Sequence, residues 1–197
     1  MLPPDLAAHL ARAHSLEAFD AWVSELSQWG QVVQATAACA AAGVTLSAWV
    51  SYDAPDAVEW HRGRAVPKVA SCLETWLASH ASPPPELSAS TDQLGAELER
   101  MSFYVYEASG SAMECGRRDR ALAAAGSIYS AARSILWTPS LVPSFFDSSE
   151  QSARVLAGPL DETVDACRKA AFATGGGEGV ATVAARVRKE IMRRFAP

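Results

Sequence analysis

The sequence predicts an all-α fold, a single-domain bundle of about seven to nine helices arranged as helical hairpins. Three observations lead there. Apolar residues make up 49% of the 197-residue chain and charged ones 20%, which gives it enough apolar surface to bury a core. Alanine dominates the apolar share; it is the best helix former, and many small side chains favour closely packed helices over sheets. Apolar positions recur at threes and fours through most of the chain. The runs near Val32 and Tyr104 that could pass for strands lie inside longer helical patterns.

The N-terminal third supplies four helices. Residues 5–14 form the first, with Pro3 and Pro4 at its start. Ser15 is placed to cap the second, whose face carries Leu16, Phe19, Val23 and Leu26, with Trp22 beside it. Gly30 breaks that helix. Residues 31–42 (QVVQATAACAAA) have almost no polar face, the pattern of a central buried helix, and Gly43 ends it. A short helix through Leu46, Trp49 and Val50 follows.

The middle of the chain is more mixed. Asp53 and Pro55 start a short polar helix that Gly63 ends. Pro67 suits the first turn of the next, which carries Val66, Val69, Leu73, Trp76 and Leu77 on one face and stops near His80. The run SPPPELSAS is a stiff connection, so residues 82–90 mark an internal junction within one domain spanning 1–197.

A pair of long antiparallel helices over 91–137 is the expected frame. Leu94, Leu98, Met101, Val105, Ala108 and Ala112 form one stripe; Ala121, Ala125, Ile128, Ala132 and Ile135 form the other. Ser90 and Gln93 make a capping box, and Gly116, Arg117, Arg118 and Asp119 form the turn. A long loop (TPSLVPSFFDSS), a brief helix over 149–157 and a helix over 160–173 follow. GGGEG is a flexible joint before a final helix from about Val180 to Phe195.

Several function classes fall away. No stretch of about 20 consecutive apolar residues exists, so no membrane span is expected. The N-terminus lacks the basic start and apolar run of a signal peptide, so the expected location is the cytoplasm. Cys39, Cys72, Cys115 and Cys167 are scattered, which fits reduced thiols in helices. No metal is expected, because His9 and His14 stand about 140° apart on a helix and no close Cys pair exists. The glycine run lacks the Gly-Lys-Ser/Thr end of a phosphate loop, so no cofactor is expected either. No nucleophile sits on a Gly-flanked elbow, and the reading is non-enzymatic. An enzyme whose site assembles only in three dimensions is the distant alternative.

Charge is unevenly spread. From Arg168 onward there are seven basic and two acidic residues in a chain whose net charge is −5. No nucleic-acid motif accompanies this basic end, and the chain as a whole is acidic, so no nucleic-acid partner is expected. A charged protein partner fits better. Candidate contact residues are Asp56, Glu59, Trp60, His61, Arg62 and Arg64 in the polar segment, because interface hot spots favour Trp and Arg. Arg186, Lys189, Arg193 and Arg194 join them from the final helix. Tyr104, Tyr106, Tyr129 and Trp137 are the candidates for a pocket between helices. Oligomeric state is left open.

The stretches DAPDAVEWHRGRAVPKVASCLETWL and ALAAAGSIYSAARSIL resemble the small all-α immunity proteins and uncharacterised helical domains of GC-rich bacteria. The likeness lies in helix order and in Ala and Trp usage over about half of the chain. Only three lysines against many arginines also fits a GC-rich source. The resemblance implies a stoichiometric binder that neutralises a toxin or serves a defence or secretion system, and it carries over no particular residue. The alternative is a small-molecule-binding or sensing protein with its pocket near the tyrosines.

Overall fold

The computed structural model describes residues 2–12, 18–50, 64–78, 116–136 and 162–195. Among the described residues the fold is all-α, with no strand. The elements are α1 (Pro4–Leu10), α2 (Phe19–Glu25) with a 3-10 turn over Leu26–Trp29, α3 (Gln31–Gly43), α4 (Leu46–Val50), α5 (Ala65–Ala78), α6 (Arg117–Leu136), α7 (162–173) and α8 (Gly177–Phe195). The first helix of the expected central pair, the Pro-rich junction and the brief helix at 149–157 lie outside the described residues.

Among the described residues the helices pack around α3. Its positions from Val33 to Ala42 are all buried, and its two sides serve two cores. Ala35, Ala38, Cys39 and Ala42 face α4, α5 and α6, where Trp49, Val66, Leu73, Trp76, Ile128 and Ile135 pack. Val33, Ala37, Ala40 and Ala41 face α1, α2, α7 and α8, where Leu6, Leu10, Phe19, Trp22, Leu26, Val187 and Ile191 pack. Alanine permits this: short side chains let neighbouring helices approach from opposite directions. Gln31–Val50 is also long and apolar enough, by composition, to cross a membrane, yet most of it is buried inside the protein.

Helix α6 carries the stripe read from the sequence. Ala121, Ala125, Ile128, Ala132 and Ile135 are all fully buried. Its start differs from the expected turn, because residues 117–119 are already helical. The Asp119 carboxylate, one turn in, accepts the Gly116 backbone N–H at 3.2 Å and so satisfies a donor at the helix start. Polar side chains in the core point back to carbonyls: Ser127 donates to Ala166 at 2.8 Å and Thr45 to Ala42 at 2.7 Å.

The glycine run is a tight corner and the start of a helix. Gly175 and Gly176 hold φ of +120° and +67°, which only glycine adopts freely. Gly176 N–H donates to Ala171 O and Gly175 N–H to Phe172 O, the two bonds of a Schellman cap closing α7. Helix α8 then begins at Gly177, three residues before the expected Val180. Gly179 is needed for space, since a Cβ there would sit 2.0 Å from Ala171 O.

Candidate functional site

Three arginines of α8 reach the ends of neighbouring helices. The last carbonyls of a helix lack intrahelical partners and carry partial negative charge. Arg193 donates to Leu77 O and Arg194 to Trp76 O at 3.2 Å, both at the C-terminal end of α5. The Arg194 guanidinium also lies 4.2 Å from the centre of the Trp76 ring. Its burial lowers its pKa from the ordinary arginine value. Arg188 donates to Leu10 O and, at 3.4 Å, to Arg12 O, at the end of α1. Arg186 pairs with Glu74 on α5 and Glu190 on its own helix, each at 3.3 Å. Lys189 is exposed.

The remaining candidates divide by position. Arg64 is exposed at the start of α5. Asp56, Glu59, Trp60, His61 and Arg62 lie outside the described residues, as do Tyr104, Tyr106 and Trp137. Tyr129 is half-buried on α6, with the Arg133 guanidinium 5.7 Å from its ring centre. Thus α8's arginines and Tyr129 do not converge on one another. Arg133 leads from Tyr129 to a feature that the sequence reading did not single out.

That feature is an open cleft of about 550 Å³ between α2 and α7. Asp20, Ala21 and Ser24 line one wall; Glu162, Val164, Asp165 and Arg168 line the other. Helical spacing makes it: Glu162, Asp165 and Arg168 step by threes, so they share one face of α7. Arg133 of α6 pairs with Glu162 at 3.0 Å. Ser130 of α6 donates to Asp165 at 2.6 Å, and Lys169 donates to the same oxygen at 2.7 Å. Arg168 closes the cleft by donating to Asp20 at 2.5 and 3.1 Å. Gly126 makes room for the Lys169 stem, because a Cβ there would lie 2.9 Å from Lys169 Cδ.

The two ends of the cleft differ electrostatically. Arg168 and Asp20 are both well exposed, so their pair is worth about 0–1 kcal/mol and exchanges readily. The Asp20 hydrogen bond nonetheless raises the Arg168 pKa. Glu162 is mostly covered, and loss of solvent raises its carboxyl pKa above the ordinary value despite Arg133 beside it; Asp165 pushes the same way. The cleft therefore pairs a loose charged rim with a partly desolvated carboxylate. Among the described residues no group of three or more His, Cys, Asp or Glu could hold a metal ion. Cys39 and Cys167 are reduced thiols, and burial raises the thiol pKa of both, so these two are poor nucleophiles.

The acid and base spacing of residues 162–169 was the available sequence signal for this wall. Nothing local in the sequence announces that Asp20 lies opposite. Family models, curated proteins and solved structures give no match to this chain.

Proposed function

We propose that this chain is a non-enzymatic bacterial interaction protein that acts by stoichiometric binding of a protein partner, as a toxin-neutralising immunity protein or a defence or secretion accessory. The observation that carries this reading is the open, ion-paired cleft between α2 and α7. Its rim pair of Arg168 and Asp20 is exposed and weak enough to exchange partners without cost to the fold. A polar protein surface can supply replacement charges there, and steering by such charges is screened by salt. Arg188, Arg193 and Arg194 help to hold α1 and α5 in place, and Lys189, Arg193 and Arg64 are exposed basic candidates. A second reading, binding of a small molecule, draws on the cleft volume, which falls within the range of about 300–1,000 Å³ usual for ligand pockets.

Affinity capture from the native host separates the two. The parent chain and the charge-reversed variants Asp20→Arg and Arg168→Glu serve as baits. Recovery of one partner in 1:1 stoichiometry, weakened by salt and by either reversal, is the expected result. A metabolite that raises the melting temperature with no protein partner recovered overturns the interaction reading in favour of the second.

A further inference from the structure

The carboxylates that line the α2–α7 cleft are each held through one oxygen. Asp165 accepts Ser130 at 2.6 Å and Lys169 at 2.7 Å, and both bonds end on Oδ2. Asp20 takes both bonds of Arg168 on Oδ2. Glu162 meets Arg133 through Oε1 at 3.0 Å. Among the described residues no donor reaches Asp165 Oδ1 or Asp20 Oδ1. Ser24 donates its proton to the Asp20 carbonyl at 2.8 Å, so its hydroxyl offers the cleft only lone pairs. Of the described side chains lining the cleft, only Arg168 carries donors toward it, and it is engaged on Asp20 at the rim. Ser130, Arg133 and Lys169 stand behind the wall. The rim therefore offers one charge of each sign, whereas the interior offers acceptors.

We propose, on the footing that the chain binds a protein partner, that the interior of this cleft receives one arginine side chain of that partner. Its guanidinium donates to Asp165 and Glu162, and its aliphatic stem lies against Ala21 and Val164. An interior of acceptors is answered by a group that has donors and no acceptor, and arginine and lysine are the side chains of that kind. Glu162 decides between them. Only 15% of its side chain is exposed, so a cation that joins it gives up water. A guanidinium is more weakly hydrated than an ammonium, and its planar fork can serve carboxylates one helical turn apart.

Two features fit this occupant in addition to the acceptors. The cleft, about 550 Å³, has room for a long side chain, and Ala21 and Val164 give its stem an apolar rest on either wall. The net charge of −5 on the chain favours the approach of a basic surface. Close to the cleft, Arg133, Arg168 and Lys169 balance the three carboxylates, so long-range attraction is small there. Selection comes from donors meeting acceptors at contact distance.

Nitrogen-15 spectra of the full chain, titrated with a blocked Gly-Arg-Gly peptide, test this. The same peptide with citrulline for arginine has nearly the same shape, no charge and an acceptor oxygen. Lysine and glutamate peptides complete the set. The expected result is saturable shifts at the amides of residues 20–24 and 162–168 with arginine, several-fold weaker binding with lysine, and none with citrulline or glutamate. Asp165→Asn is expected to weaken the arginine peptide several-fold. An equal response to citrulline, a preference for glutamate, or amides unmoved by arginine overturns the assignment in the parent chain without any variant. Parent-like binding in Asp165→Asn overturns the place given to the guanidinium. Affinity capture decides the partner separately. One protein recovered while the cleft ignores arginine removes the arginine site and leaves the partner. Arginine selected in the cleft with no protein recovered removes the partner and leaves a site for a small guanidinium compound.

Discussion

Gly179→Ala tests how tightly the α7–α8 corner is packed. The added Cβ would lie 2.0 Å from Ala171 O, 2.7 Å from Thr174 Oγ1 and 2.9 Å from Ala171 C. Two of these are backbone atoms of α7, held by the hydrogen bond from Gly176 N–H to Ala171 O at 2.9 Å. Relief requires α8 to move by more than about an ångström, and overpacking of this kind costs about 1–3 kcal/mol. Weakening the corner bond adds about 0.5–1.5 kcal/mol. Against this stands the helix preference for alanine, at most about 1 kcal/mol and less in a first turn. The net expectation is a loss of about 2 kcal/mol, or about 4–8 °C in melting temperature for a chain of this size. Gly126→Ala in α6 is the control. There the new Cβ meets only the flexible Lys169 stem, at 2.9 Å, so the alanine gain is set against a loosened Lys169–Asp165 pair. Its expected effect lies within about 0.5 kcal/mol of the parent. Urea denaturation of both variants with unchanged m-value reads the difference. Equal stability of Gly179→Ala and the parent refutes the close approach of α8 to α7.

Four other outcomes follow from the same geometry. Ala125→Leu and Ala132→Leu, both in fully buried positions of α6, should each destabilise by about 1–3 kcal/mol in the same denaturation assay; parent-like melting would remove α6 from the core. Arg194→Ala should cost about 1–2 kcal/mol, because it removes the Trp76 ring contact and the hydrogen bond to the end of α5, whereas exposed Lys189→Ala should change stability by less than about 0.5 kcal/mol; similar values for the two would sink the clamp. A carboxyl whose pKa is raised in the folded state adds stability below its ordinary value of 4.5, and that addition is lost as pH rises through the folded value. Stability of Glu162→Gln relative to the parent should therefore rise with pH over this window, and a falling difference contradicts the assignment. Native-state alkylation read by peptide mass spectrometry should leave Cys39 and Cys167 unmodified, since both are buried with raised thiol pKa, and rapid labelling of either would contradict their burial.

Much of the helical framework was legible in the sequence, for reasons of period and composition. The featureless run at 31–42 read as a buried helix because nothing polar interrupts it, and α3 is that helix. Val66, Val69, Leu73, Trp76 and Leu77 share one face at helical spacing, and all five are buried in α5. The long apolar stripes at 91–137 pointed to a paired frame; its second helix is buried as α6, and its first lies outside the described residues. The two-sided burial of α3 was harder to read, because a stripe marks only one buried side. Gly179 was read as part of a joint because glycine usually signals freedom; its need for space depends on Ala171, a residue of the preceding helix. The basic residues of α8 read as a surface, and Lys189 and Arg193 are exposed, but sequence gives charge without the carbonyls that some of these side chains meet. Arg188, Arg193 and Arg194 meet helix ends more than a hundred positions away. The cleft was invisible for the same reason, since Asp20 and Arg168 come together only through the packing of α2 against α7.

The two-sided burial of α3 has a consequence for how the chain is made. During synthesis α3 emerges by residue 43, but α8, which covers one of its sides, begins only at residue 177. Until then that side of α3 has only α1, α2 and, late in the chain, α7 to cover it. Contacts that close over so long a separation also slow folding in solution. The nascent chain should consequently depend on a holdase, or on transient cover from α1 and α2, until the last helix is released. A chain stopped before α8 should aggregate rather than persist as a smaller folded unit.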